Sequence, residues 1–160
     1  MAAVQRTIDS EKSTVSFSIK KLLLLTIKGQ FSSLSGTIVF DENHPENSSF
    51  DVRVGSATVN TQNEKRDEHL RKADFFDVQN HPTIAFRSSS VSQEGGGYLA
   101  QGQLQLLGQS QALSIPFTYQ DGRFEGTFEL RRSDYGLGRK FPTLVVGDAV
   151  RVNIHCTTLG

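Results

Sequence analysis

The chain has one cysteine, Cys156, and so cannot close an internal disulfide. Its four histidines, His44, His69, His81 and His155, lack the Cys/His spacing of a structural zinc site, so no metal is expected. Neither sign of charge is in excess. Lysine plus arginine and aspartate plus glutamate number 17 each, which leaves no global field to gather nucleic acid and disfavours a polyanionic partner. No apolar run approaches the roughly 18 residues of a membrane helix, and Met1 to Asp9 contains no apolar h-region of a signal peptide. The expectation is a cytoplasmic protein without stable membrane insertion; a periplasmic one whose leader had been removed would read the same.

Helical periodicity is also scarce, and what fills its place is alternation. At 160 residues the chain reads as a single domain, 1–160, with 36% apolar residues before its 14 glycines are counted. Val15, Phe17 and Ile19 alternate with Ser16, Ser18 and Lys20, the period of a half-buried strand. After the leucine run Leu22–Leu25, the spacing by two resumes at Ile27, Gly29 and Phe31, then at Ile38 and Phe40, then at Phe50, Val52 and Val54, running on through Ala57 and Val59. Beyond Ile84 and Phe86 the chain reads as a meander. Leu104, then Ile115 and Phe117, then Phe124 and Phe128, and finally Val150, Val152 and Ile154 share one phase, with Asp121-Gly122 as a strong hairpin signal. Four leucines in a row read either as a strand end packed under a lip or as an exposed portal or subunit contact.

Only the stretch from Arg66 to Phe86 breaks this pattern. Thr61-Gln-Asn-Glu64 fits a capping box, and the helix it opens is expected to reach about Lys72. Asp67 with Arg71 and Glu68 with Lys72 form favourable i,i+4 pairs. With Leu70 and Ala73 as its only apolar members, this helix lies across something rather than building a core. Phe75 and Phe76 supply its anchor.

Eight or so one-sided strands and one polar helix leave two solutions, a sandwich or a closed barrel, and the short connections favour an eight-stranded antiparallel up-and-down β-barrel with the helix near its mouth. A barrel of that size either fills with side chains or holds one small ligand. Ala100, Gly102, Gly126 and Gly29 on the apolar face leave room for a cavity or mark bulges.

Several short motifs, in order, carry a family resemblance. Ser-x-Val-x-Phe-Ser-Ile-Lys stands at Ser13 to Lys20, Gly-x-Phe at Gly29 to Phe31, and Gly-x-Ile-x-Phe-Asp at Gly36 to Asp41. Arg-Asp-x-His-Leu follows at Arg66 to Leu70, Asp-Phe-Phe-Asp at Asp74 to Asp77 and Pro-x-Ile-x-Phe at Pro82 to Phe86. Gly-x-Leu-x-Leu-x-Gly at Gly102 to Gly108 and Arg-x-Asp-Tyr-Gly-x-Gly at Arg132 to Gly138 complete the set. In these the chain resembles the YceI-like family of lipocalin-like barrels, over nearly its whole length. The resemblance implies a long pocket for a polyisoprenoid or isoprenoid-quinone tail, and often a homodimer. The chain departs from the family after the first strand, where Lys20-Lys-Leu-Leu-Leu-Leu replaces the frequent Lys-His-x-Gly.

The alternation phase assigns Phe17, Ile19, Phe31, Phe40, Val52, Val54, Phe86, Leu104, Ile115, Phe117, Phe128, Val152 and Ile154 to the interior as an apolar ligand lining, with plain core packing as the competing reading. Arg66, Asp67, His69, Phe75 and Phe76 belong to the mouth, either touching a ligand headgroup or building the lid. Gly-x-Ser-x-Gly and phosphate-loop motifs are absent, so no catalytic residue and no cofactor is expected. The reading is a binder or carrier of a long apolar ligand. The alternatives are an enzyme acting on a small hydrophobic or lipid substrate in the same cavity, and a solid-core interaction module.

Overall fold

Alternation becomes a wall of antiparallel strands in the computed structural model, which describes residues 3–22, 24–140 and 146–159. Among these residues the strands are β1 (Val4–Ile8), β2 (Thr14–Lys21), β3 (Leu25–Phe31), β4 (Ser35–Phe40), β5 (Ser49–Gly55), β6 (Thr83–Glu94), β7 (Gly97–Leu106), β8 (Gln109–Gln120), β9 (Arg123–Arg131) and β10 (Val146–Leu159). The one α-helix among them is α1 (Glu64–Arg71). The order β1-β4-β5-β6-β7-β8-β9-β10 closes on itself because β1 also pairs with β10. Closure removes the exposed edges that an open sheet would carry.

Ten segments make eight staves because two staves are broken. Strand β10 pairs with β1 near its end, Ile8 opposite Thr158, and with β2 along the rest, from Ile19 opposite Val150 to Thr14 opposite His155. Strands β1 and β2 are thus one stave interrupted by the turn at Ser10–Lys12. In the same way β4 lies on β1 and β3 lies on β2. Among the described residues the far side of β3 meets a single bridge, Gln30 to Asn60, because β5 has already ended at Gly55. The wall therefore parts between β3 and the end of β5, and α1 sits over the parting.

Three local expectations change there. The alternation through Ala57 and Val59 is not a strand. Ser56 donates its backbone N–H to the Pro82 carbonyl (2.9 Å) and its hydroxyl to the His81 carbonyl (2.7 Å), which winds Ser56–Thr58 into a 3-10 turn. The helix cap is not Thr61 but Asn63, whose side chain accepts from the Arg66 N–H at 3.0 Å. Asp67 turns inward, and Arg71 instead donates to the Ala57 (3.0 Å) and Val59 (3.2 Å) carbonyls, so their expected i,i+4 pair is replaced by ties to the barrel wall. Asp121 and Gly122 both take positive φ, 51° and 82°, as a two-residue hairpin with this chemistry requires.

The interior is divided. Around β1 and β4 the barrel is solid: Phe40 is only 1% exposed, and its ring meets those of Tyr119 (4.8 Å between centroids), Phe124 (5.1 Å), Tyr98 (5.2 Å), Phe117 (6.0 Å) and Phe50 (6.5 Å). Edge-to-face pairs of this kind add roughly 0.5–1.5 kcal/mol each beyond area burial. The Arg6 guanidinium lies over the Tyr119 ring, 5.0 Å from its centroid. Around β2, β3 and α1 the barrel is hollow.

Candidate functional site

A cavity of about 440 Å³ occupies the hollow half. Its wall is made of inward side chains from nearly every stave: Val15, Phe17 and Ile19 of β2, Ile27 and Phe31 of β3, Val52 and Val54 of β5, Ile84 and Phe86 of β6, Leu104 of β7, Ile115 of β8, Phe128 of β9, and Val150, Val152 and Ile154 of β10. Most of these are β-branched or short. They stiffen a strand well but do not reach across a barrel, so the space they face stays open. Gly29 and Gly102 do not make that space. A side chain at Gly29 would fall on the Phe17 ring, and one at Gly102 on the Arg87 carbonyl beside the bulge at Ser88/Ser90; neither lines the cavity.

The helix end closes the hollow half. Phe76 is buried, with its ring edge-on to Phe31 at 5.3 Å, and Phe31 in turn packs on Phe17 at 5.5 Å. Phe75 packs on Gly138, where any side chain would collide with its ring, which accounts for that glycine in Arg-x-Asp-Tyr-Gly-x-Gly. Both phenylalanines and Leu70 line the cavity. The lid therefore presents Leu70, Phe75 and Phe76 to the cavity together with Arg66 and His69.

The charged residues of the lid are fastenings. The buried Asp67 carboxylate accepts the Thr61 N–H at 3.0 and 3.2 Å and the Thr61 hydroxyl. Arg66 donates to the Thr61 hydroxyl at 2.7 Å and to the Thr61 carbonyl at 2.8 Å. These bonds tie the first turn of α1 to the loop before it, and Asp67 also faces the positive end of the helix dipole. Further along, Asp74 accepts from Lys140 at 3.1 Å with His69 Nε2 at 3.8 Å. The hydrogen bond from Lys140, with added attraction from His69, holds the Asp74 carboxyl below the usual carboxylate range. His69 also stands edge-on to Phe75 at 5.2 Å and lines the cavity.

Beside the helix end, next to Gly138, Arg132 is 3% exposed and lines the cavity. Its guanidinium donates to the carbonyls of Gly147 (3.0 Å), Leu137 (3.2 Å), Gly138 (2.8 Å) and Val146 (2.7 Å), holding the turn after β9 against the start of β10. Among the described residues no group of three or more His, Cys, Asp or Glu side chains is placed to hold a metal. The Cys156 thiol, buried outside the cavity, is pushed up to about 11 by desolvation and stays protonated at neutral pH.

The family profile of the YceI-like domain matches residues 7–158. The chain belongs to the YceI-like family. It is 32% identical over 107 residues to a UPF0312 protein of Pectobacterium atrosepticum, an alignment that takes in 67% of this chain and 56% of that longer relative. Among solved structures of the YceI-like fold it superposes on BcnA of Burkholderia cenocepacia with a TM-score of 0.87 at 25% identity, covering 93% of this chain and 98% of that one. A polyisoprenoid-binding domain from Saccharophagus degradans shares the fold at TM-score 0.69 and 14% identity, over 96% of this chain and 97% of that domain.

Within this YceI-like barrel the residues singled out by alternation fall into two groups. Phe17, Ile19, Phe31, Val52, Val54, Phe86, Leu104, Ile115, Phe128, Val152 and Ile154 stand on the cavity wall, as do Arg66, His69, Phe75 and Phe76 from the lid. Phe40 and Phe117 point inward but into the aromatic half, away from the cavity, and the Asp67 carboxylate is spent on Thr61. The cavity also takes in residues that the pattern did not single out. Ile27, Ile84 and Val150 share the alternation phase and were within its reach; Lys21, Arg53 and Arg132 are cations, for which no apolar pattern gives a signal.

Proposed function

We propose that this protein binds a long-chain apolar molecule of the polyisoprenoid class in the hollow half of its barrel and carries it as a soluble complex. The observation that carries this reading is the cavity itself: about 440 Å³ enclosed by aliphatic and phenylalanine side chains, within the usual range for small-molecule sites. Transfer of an apolar chain into it is driven by roughly 25 cal/mol per Å² of apolar surface removed from water. Polar contacts for a headgroup come from Lys21, Arg53, Thr61, Arg66, His69 and Arg132, which border an otherwise apolar wall. The likeness in fold to a polyisoprenoid-binding domain supports the ligand class.

Binding rather than turnover is the reading the lid chemistry supports. Arg66 and Asp67 are held in place by Thr61, and the thiol of Cys156 lies outside the cavity. Purification under gentle conditions, followed by solvent extraction and mass spectrometry, tests the proposal. A co-purifying species with an isoprenoid mass ladder is the expected result. A clean extract together with failure to bind added polyprenol contradicts it, and so does chemical conversion of a polyprenol or quinone that is lost in His69→Ala.

A further inference from the structure

Three leucines are left exposed side by side on the rim of the cavity. Strands β2 and β3 form a hairpin in which Lys21 pairs with Leu25, and at its tip Leu22, Leu24 and Leu25 are 54%, 89% and 58% exposed. Leu22 takes a positive φ of 54°, a turn conformation just beyond the Lys21–Leu25 pair. Of the five strongly exposed large apolar residues among those described, these three are grouped, while Val4 and Leu159 stand near the chain ends. The central residue of the run, Leu23, lies outside the described residues.

The surroundings of this tip state what it fits. Between Glu11 and Asp41 the sequence contains no acidic residue, but it contains Lys12, Lys20, Lys21 and Lys28. The last three belong to the hairpin, all exposed, so a chain that is neutral overall carries a local positive charge beside exposed leucine. A stable protein partner or second copy needs about 800 Å² of complementary surface per side, which three side chains at the end of one hairpin do not offer. A bilayer interface takes a tip of any shape, and basic residues around an apolar tip are drawn to anionic lipid. The tip is also continuous with the cavity, since Ile19 and Lys21 of β2, Ile27 of β3 and Val146, which pairs with Lys21, all lie on the cavity wall.

We propose that Leu22, Leu24 and Leu25 dip into the interface of a membrane containing anionic lipid, with Lys20, Lys21 and Lys28 at the headgroups, and that the apolar ligand passes between bilayer and barrel at this rim. The docking stands on the hairpin alone; the passage of ligand rests on the function proposed above. Attachment is peripheral and reversible, because the apolar contact is only one turn wide.

Co-sedimentation with phosphatidylcholine vesicles with and without 30% phosphatidylglycerol tests the docking. The chain is expected to pellet with the anionic vesicles and to be released by high salt, as surface attraction is screened. Lys20→Gln and Lys28→Gln are each expected to weaken vesicle binding about fivefold, and the pair Leu22→Ser with Leu24→Ser by about tenfold or more. Because the tip is exposed, thermal unfolding of these variants should match the parent chain. A short-chain fluorescent isoprenoid added from solution is expected to bind the leucine variant with unchanged affinity, while its transfer from protein to vesicles slows. Equal pelleting of parent and leucine variant overturns the docking, as does indifference to phosphatidylglycerol. So does a parent dimer in sedimentation velocity that Leu24→Asp splits while neither protein binds vesicles. Vesicle binding intact with no uptake of the fluorescent probe removes the ligand passage and counts against the carrier function, not against the docking.

Discussion

One half of this barrel is filled with aromatic rings, and the other, built on the same staves, is open. The difference lies in side-chain length at inward positions. Around β1 and β4, Phe40, Phe50, Phe117, Tyr119 and Phe124 reach the barrel axis and meet one another. Around β2 and β10, Val15, Ile19, Val150, Val152 and Ile154 stop short of it. An eight-stranded barrel is at the width where this choice decides between core and container. The filled half supplies the rigidity that lets the open half stay open, since a barrel lined by short side chains throughout would lose much of the burial that holds it together.

The filled half has the most stability to lose. Phe40→Ala removes the ring on which the aromatic cluster converges and is expected to cost about 3–5 kcal/mol in urea denaturation. Phe128→Ala, facing open space, has fewer partner atoms to lose and is expected to cost about half of that or less. Equal costs would show that the two halves are packed alike.

Filling the open half sharpens the contrast from the other side. Val152 has Phe17 and Phe128 as cross-strand neighbours, all three on the cavity wall. Val152→Trp is expected to leave the unfolding free energy within about 1.5 kcal/mol, whereas an added methylene in a packed core costs about 1–3 kcal/mol. It should lower affinity for a polyprenol at least about 100-fold, or roughly 2.7 kcal/mol. The chain has no tryptophan of its own, so the new indole reports directly on the polarity of the cavity.

A smaller effect is expected at the lid. Asp67→Ala strands the buried Thr61 N–H and should cost about 1–3 kcal/mol, loosening α1 and, through Thr61, one edge of the cavity wall. Faster ligand release with little change in the aromatic half, measured by stopped-flow and by near-ultraviolet dichroism, is the expected pattern.

The smallest effect concerns pH. Burial raises the Cys156 thiol from about 9 to about 11, so the folded state keeps a proton that the unfolded chain gives up. The stabilisation is fully present below pH 9 and is lost as pH rises towards 11. At pH 8 a thiol reagent should leave the folded protein unlabelled and react after urea is added.

Much of this was legible in the sequence, and the division between what was and what was not follows physical lines. Alternation of period two reports which face is inward, and it placed Phe17, Val54 and Ile154 on the interior side; it carries no coordinate along the barrel axis. Phe40 and Phe117 share that phase with the cavity residues and yet stand in the filled half. The broken staves escaped for a related reason. Nothing local distinguishes β1 from a polar N-terminal tail, and its partner strands, β4 and β10, are remote in the chain. Thr61 and Glu64 stand at capping-box spacing, but the Thr61 hydroxyl donates to the buried Asp67 carboxylate and accepts from Arg66 Nε, leaving the cap to Asn63. A carboxylate hidden from water binds a donor more strongly than a solvated one does, and no spacing rule records burial.

Titration of a fluorescent isoprenoid probe, competed by polyprenol, into the parent chain and into Val152→Trp tests the claim that the open half is the container. Saturable binding by the parent, displaced by polyprenol and lost in a Val152→Trp protein that still unfolds cooperatively, is the predicted result. Equal probe binding by the two proteins would contradict it.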